Sequence, residues 1–130
     1  NDTSWTAAQQ GMENVLHGTR GTARKVGESA QYRIAGKSGT AQVVAIKQGE
    51  RYDRDKVQER HRDHALFVAY APAEKPAIAV AVMVENGESG SAVAAPVAKQ
   101  VLDGWLLDNE GVLKGQYQTA EQRAQAEVKP

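Results

Sequence analysis

The 130-residue sequence contains no cysteine, which excludes disulfides, thiolate nucleophiles and cysteine-based zinc or iron–sulfur sites. It has no net charge: 16 Lys+Arg balance 16 Asp+Glu. No one-signed run is long enough to make an electrostatic footprint, so nucleic acid is not an expected partner. No hydrophobic run could span a bilayer, since the longest strongly apolar stretch, Ala77 to Val84, has only a strand's length. The opening "NDTSWTAAQQ" lacks the basic and apolar regions of a signal peptide. Without an initiator methionine, a processed chain or a piece of a longer one is expected. What is present is 41% apolar and 25% charged residues at a mean hydropathy of −0.56. That is the composition of a soluble globular domain, with length for one modest core.

The pattern predicts an opening helix over "SWTAAQQGMENVLH", capped by Thr3 or Ser4, with Trp5, Ala8, Met12, Val15 and Leu16 near helical spacing. A glycine- and threonine-rich loop, "GTRGTARKVGES", follows. Lys47 to Asp63 carries 6 basic and 5 acidic residues and reads as a solvated excursion with one short helix around Asp55 to Arg60. "HALFVAYAP" and "PAIAVAVMVENG" read as two strands with both faces apolar, expected to be covered on both sides. Their short link, 71–76, favours an antiparallel hairpin. In "SAVAAPVAKQVLDGWLL", Val93, Val97, Val101 and Trp105 form a stripe at steps of four, expected to pack on the sheet, with Trp5 and Trp105 in the core. Pro96 fits if the first helical turn begins near it. Residues 1–108 then form the domain and the polar, glutamine-rich 109–130 a disordered tail. The expected fold is α+β, an α/β sandwich of at least three antiparallel strands with packed helices, too thin to look complete.

One strand is interrupted. "YRIAGKSGTAQVVAI", Tyr32 to Ile46, has Ile34, Val43, Val44 and Ile46 for a half-buried pleat, yet Lys37-Ser38-Gly39-Thr40 in its middle. Alternation puts Lys37 and Gly39 on one side and Ser38 and Thr40 on the other. All four can meet one ligand if the strand's edge faces a cleft, where a cation, two hydroxyls and main-chain N–H groups could hold a carboxylate and a developing oxyanion. The alternative is an edge strand protected from aggregation by a lysine and a glycine.

"K-T-G" is one of three mechanistic elements of serine β-lactamases and penicillin-binding proteins, with "S-x-x-K" and "S-D-N". From "GMENVLHGTRGTA" through "IAGKSGTAQVV", "DHALFVAYAP", "PAIAVAVMVENG" and "SAVAAPVAKQVLDGWL", residues 4 to 108 resemble the C-terminal part of the transpeptidase domain of class B penicillin-binding proteins. The likeness is greatest to the elongation-specific members of Gram-negative rods. The resemblance implies that Lys37 organises proton transfer and attracts a substrate or β-lactam carboxylate. It implies that Ser38 and Thr40 hydrogen-bond that carboxylate, that Gly39 permits close approach, and that the Thr40 backbone N–H is an oxyanion-hole donor. It further implies acyl transfer on peptidoglycan stem peptides through a serine acyl-enzyme, inhibition by β-lactams, and no metal or organic cofactor. The implied location is the periplasmic side of the inner membrane, by an anchor not in this chain, with elongation-machinery membrane proteins as partners.

Neither serine motif is found at Ser4, Ser29, Ser38, Ser89 or Ser91. By the resemblance both precede K-S-G-T, in a missing N-terminal part of the same domain, so this chain alone is expected to be catalytically inert. A non-catalytic interaction or scaffold fragment is the alternative. His61 and His64, with Asp63 between them, suggest a metal site, but no third ligand stands at diagnostic spacing and the two histidines read as solvated; His17 reads as a charge complementing a helix end, and Tyr70 as core or cleft wall.

Overall fold

The structure, a computed structural model, describes residues 1–43, 45, 49, 51, 53, 55 and 57–127. α1 (Asp2–His17) starts earlier than expected because Asn1, not Thr3 or Ser4, is its cap: Asn1 Oδ1 accepts from Ser4 N–H at 3.2 Å. Its C-terminal end enters the core through Leu16 and, less deeply, Val15. Trp5 is therefore 67% exposed and is not a core residue. The glycine-rich loop folds back on this end and contains the short α2 (Arg24–Glu28).

β1 (Ala35–Ala41), β2 (His64–Ala71) and β3 (Ile78–Val84) form a three-stranded antiparallel sheet in that spatial order. The hairpin and the α+β class are as the sequence implied. β1 ends sooner than the run to Ile46 suggested, and Val44, Ile46 and Lys47 lie outside the described residues. Of the charged excursion, the described part contains one 3-10 turn, Glu59–His61, where a short helix was expected around 55–60.

α3 (Ala95–Leu106) covers one face of the sheet. The face it covers presents Ala65, Phe67, Ala69 and Ala71 from β2, all buried, and Val80 and Val82 from β3. The helix meets them with Ala94, Ala95, Ala98, Leu102 and Leu106, one residue out of step with the Val93, Val97, Val101, Trp105 stripe. Trp105 is 53% exposed and the three valines face outward with it. Both sides of α3 are apolar, and the choice falls to size: Phe67 fills the space between layers, and small alanines let the helix axis lie close. Pro96 sits in the first turn, where it removes no needed donor.

Among the described residues, the second face of the sheet is open. Val68 is 46% and Met83 61% exposed, so the expectation of cover on both sides is not met here. Met12 of α1 reaches only its margin, where Val68, Tyr70 and Ala79 to Ala81 line an apolar depression of ≈ 360 Å³. Tyr70 is a half-buried wall of that depression.

The expected disordered tail carries structure. Asp108 Oδ1 accepts from the N–H groups of Glu110 and Val112, both at 2.9 Å, turning the chain so that Leu113 bridges to Leu107 and enters the core. A 3-10 turn, Gly115–Tyr117, leads to α4 (Ala120–Glu127). Composition misled because one inserted leucine and local capping, rather than periodicity, order this segment.

Candidate functional site

The K-S-G-T residues all lie within β1, and β1 is an edge: among the described residues its one strand neighbour is β2. Lys37 stands opposite Val68, Ser38 opposite Phe67, Gly39 opposite Leu66 and Thr40 opposite Ala65. Lys37 and Gly39 therefore share the open face, and Ser38 and Thr40 the face toward α3. Lys37 and Thr40 are exposed, Ser38 and Gly39 half-buried. The preceding Gly36 lies over an aromatic ring, since a Cβ there would stand 2.9 Å from Phe67 Cε1. A strand edge in an antiparallel pair turns alternate N–H and C=O groups outward, so main-chain donors accompany the side chains.

Lys37 Nζ donates to the Ser38 carbonyl at 2.6 Å, not to a hydroxyl. Among the described residues no hydroxyl is thus activated by this ammonium as a nucleophile. What the strand offers is a cation, two hydroxyls and backbone N–H groups converging on an edge, a set suited to holding an anionic ligand.

Both ends of β1 are anchored by residues that sequence patterns had assigned other roles. Ahead of the strand, Ile34 N–H donates to His17 Nε2 at 2.9 Å. His17 is thus an acceptor, and burial, aided by the Arg33 charge, lowers its pKa from 6.5 against the opposing pull of Glu13 and Glu74. Tyr32, also buried, donates its hydroxyl to Asp103 of α3. Beyond the strand, Val43 N–H donates to Asp63 Oδ1 at 3.3 Å, and Asp63 is only 8% exposed. The Asp63 carbonyl accepts from Glu88 N–H at 2.9 Å, while Asn86 donates its N–H to His64 Nδ1 and its side-chain amide to the Arg62 carbonyl. Asp63 and His64, considered together for metal binding, are thus committed to holding the turn at 86–88. Among the described residues no group of three His, Cys, Asp or Glu could hold a metal. No described helix is long and apolar enough to cross a membrane.

The family described as "Penicillin binding protein transpeptidase domain" matches residues 1–103. The peptidoglycan D,D-transpeptidase MrdA of Haemophilus influenzae is 47% identical over 103 residues, covering 79% of this chain and 16% of that protein. MrdA of Acinetobacter baumannii is 48% identical over 106 residues, covering 82% of this chain and 15% of that protein. The crystal structure of Pseudomonas aeruginosa PBP2 in complex with WCK 5153 is similar at a TM-score of 0.75 and 58% identity, covering 90% of this chain and 23% of that one. In Helicobacter pylori, PBP2 in complex with MreC is similar at a TM-score of 0.63 and 30% identity, covering 79% and 17% respectively. The chain belongs to the penicillin-binding protein transpeptidase family, in its class B, penicillin-binding protein 2 group. It spans only 16% and 15% of the length of the two curated relatives.

Proposed function

We propose that this chain supplies one wall of the acyl-transfer cleft of a peptidoglycan D,D-transpeptidase. The observation that carries the reading is the K-S-G-T sequence on an exposed sheet edge, inside the region that matches the family. In this reading residues 1–108 are the C-terminal part of the transpeptidase domain, and the later residues are an appendage to it. Lys37 draws in the terminal carboxylate of a stem peptide and joins the proton-transfer network, while the Ser38 and Thr40 hydroxyls hydrogen-bond the same carboxylate. The Thr40 N–H and the N–H of the nucleophilic serine bind the developing oxyanion.

The reaction is serine acyl transfer. The serine oxygen, from an S-x-x-K motif outside residues 1–130, loses its proton and attacks the D-Ala-D-Ala carbonyl. The peptide C–N bond breaks, and terminal D-Ala leaves as the amine after taking up a proton. An amine of a neighbouring stem then displaces the serine and forms the crosslink. A β-lactam enters by the same attack on its ring amide, whose C–N bond opens, and the serine stays acylated. The reaction calls for no metal or organic cofactor. The periplasmic face of the inner membrane, with membrane proteins of the elongation machinery nearby, is the setting that accords with an MreC complex of the H. pylori relative.

Fluorescent penicillin labelling read by intact mass tests this reading. Residues 1–130 alone should gain no adduct, and a protein joining them to the S-x-x-K segment should gain one. An adduct on the 130-residue chain would overturn the assignment of the nucleophile elsewhere. No adduct on the longer protein would overturn the transpeptidase reading.

A further inference from the structure

We propose that Gly90 is a positioning residue for this acyl transfer, holding the peptide plane that carries the Thr40 N–H. The inference rests on the reading of Thr40 as an oxyanion donor.

Gly90 is buried and opens one wide helical turn, Gly90–Ala94, that leads into α3. It lies against the backbone of a single rung of the sheet. A Cβ built on Gly90 would stand 2.3 Å from the Leu66 carbonyl oxygen, 2.7 Å from the Gly39 carbonyl oxygen and 3.0 Å from Gly39 N. Gly39 and Leu66 are register partners across β1 and β2. All three atoms are main-chain, so no rotamer change can relieve the overlap; backbone has to move.

The Gly39 carbonyl and the Thr40 N–H belong to one planar peptide unit. Pushing the oxygen aside tilts the plane and swings the N–H that points the other way. Gly90 is therefore matched to the orientation of one donor, although it is 50 residues away in sequence.

The turn that delivers Gly90 is also braced. Ser89 Oγ accepts from Ala92 N–H at 3.1 Å and the Ser89 carbonyl accepts from Val93 N–H at 2.9 Å. Glu88 N–H is bound by the Asp63 carbonyl. Asn86 and Glu88 both have positive φ, at 55° and 62°; asparagine tolerates this region, whereas for Glu88 it is costly and is kept by the bond of its N–H to the Asp63 carbonyl. A side chain at Gly90 would thus displace the strand more readily than the turn.

The test uses the acylation-competent protein containing this chain, with the rate of acylation by a fluorescent penicillin measured against concentration and normalised to active-site titre. For Gly90→Ala the limiting acylation rate should fall roughly tenfold or more, on the scale of a compromised oxyanion donor. The half-saturating concentration should stay within about twofold, because the carboxylate contacts remain. Gly104→Ala, at a helix position with open space around it, should leave both constants unchanged. Wild-type kinetics for Gly90→Ala, or a change in half-saturation alone, would overturn the inference. Should Gly90→Ala fail to fold, Ser89→Ala loosens the same turn without adding atoms. It should shift the Thr40 amide resonance and lower the limiting rate, and an unmoved resonance with an unchanged rate would overturn the inference. Absence of labelling in the wild-type protein would instead strike at the transpeptidase reading beneath it.

Discussion

The Tyr32 hydroxyl donates to Asp103 Oδ1 at 2.7 Å, joining the chain just ahead of β1 to the last turn of α3. Lys99 Nζ holds the second oxygen, Oδ2, at 2.6 Å, so the carboxylate is fully engaged. Burial, with the neighbouring carboxylate, drives the phenol pKa far above its usual value, and the hydroxyl remains a donor throughout the working pH range.

Tyr32→Phe should therefore lower unfolding stability by about 1.5–3 kcal/mol, the scale of a hydrogen bond to a charged acceptor. Urea denaturation would read it as a lower midpoint at an unchanged slope. An unaltered midpoint would mean that the bond does no more than its counterpart in water.

His17 accepts from Ile34 N–H, so the folded state needs its neutral form. Its pKa is lowered by burial and by Arg33, hence the unfolded chain takes up the proton more readily. Its contribution to stability is complete above the unfolded value of about 6.5 and is lost as pH falls through the lowered folded value. His17→Gln, which keeps an acceptor but cannot titrate, should show a flatter fall in urea midpoint on acidification. Equal slopes for the two proteins would exclude the imidazole as the source.

Lys37 is exposed, and its one hydrogen bond is to its neighbour's carbonyl. Lys37→Ala should leave the melting temperature within about 1 °C, as expected of a surface change. In the acylation-competent protein it should slow penicillin acylation by roughly a hundredfold, the scale of a lost charged contact to substrate. Unimpaired acylation would favour the reading of this lysine as edge protection.

Thr119 and Gln122 cap α4 reciprocally: Thr119 N–H donates to Gln122 Oε1 at 2.8 Å and Gln122 N–H to Thr119 Oγ1 at 3.2 Å. Thr119→Ala should weaken the helix by about 1 kcal/mol. Amide hydrogen exchange would accelerate across 120–127 while the sheet keeps its protection. Uniform acceleration would show that α4 and the sheet open together.

The K-S-G-T break in β1 was legible from residue type alone. A lysine, two hydroxyls and a glycine set into a β-branched run can be recognised because they contradict the strand around them. The β2–β3 hairpin followed from alternation and a short link. The facing of α3 did not, because Val97, Val101 and Trp105 are as regular as Ala98, Leu102 and Leu106; only the bulk of Phe67 on the opposing strand decides between them. The cap at Thr119 was written in the sequence as threonine followed at the third position by glutamine, a local signal masked by the polar composition around it. The anchoring by Asp63 and His17 had no local signature, since each acts on a backbone N–H distant in sequence.

Beyond its pairing with β2, β1 is held by side chains at two points of unequal reach. Thr40 lies three residues from Val43, held by Asp63, and six from Ile34, held by His17. Displacement of the near support bends the motif more than displacement of the far one. The base of the charged excursion, where Asp63 sits, is thus the end from which the four motif residues are most easily tuned.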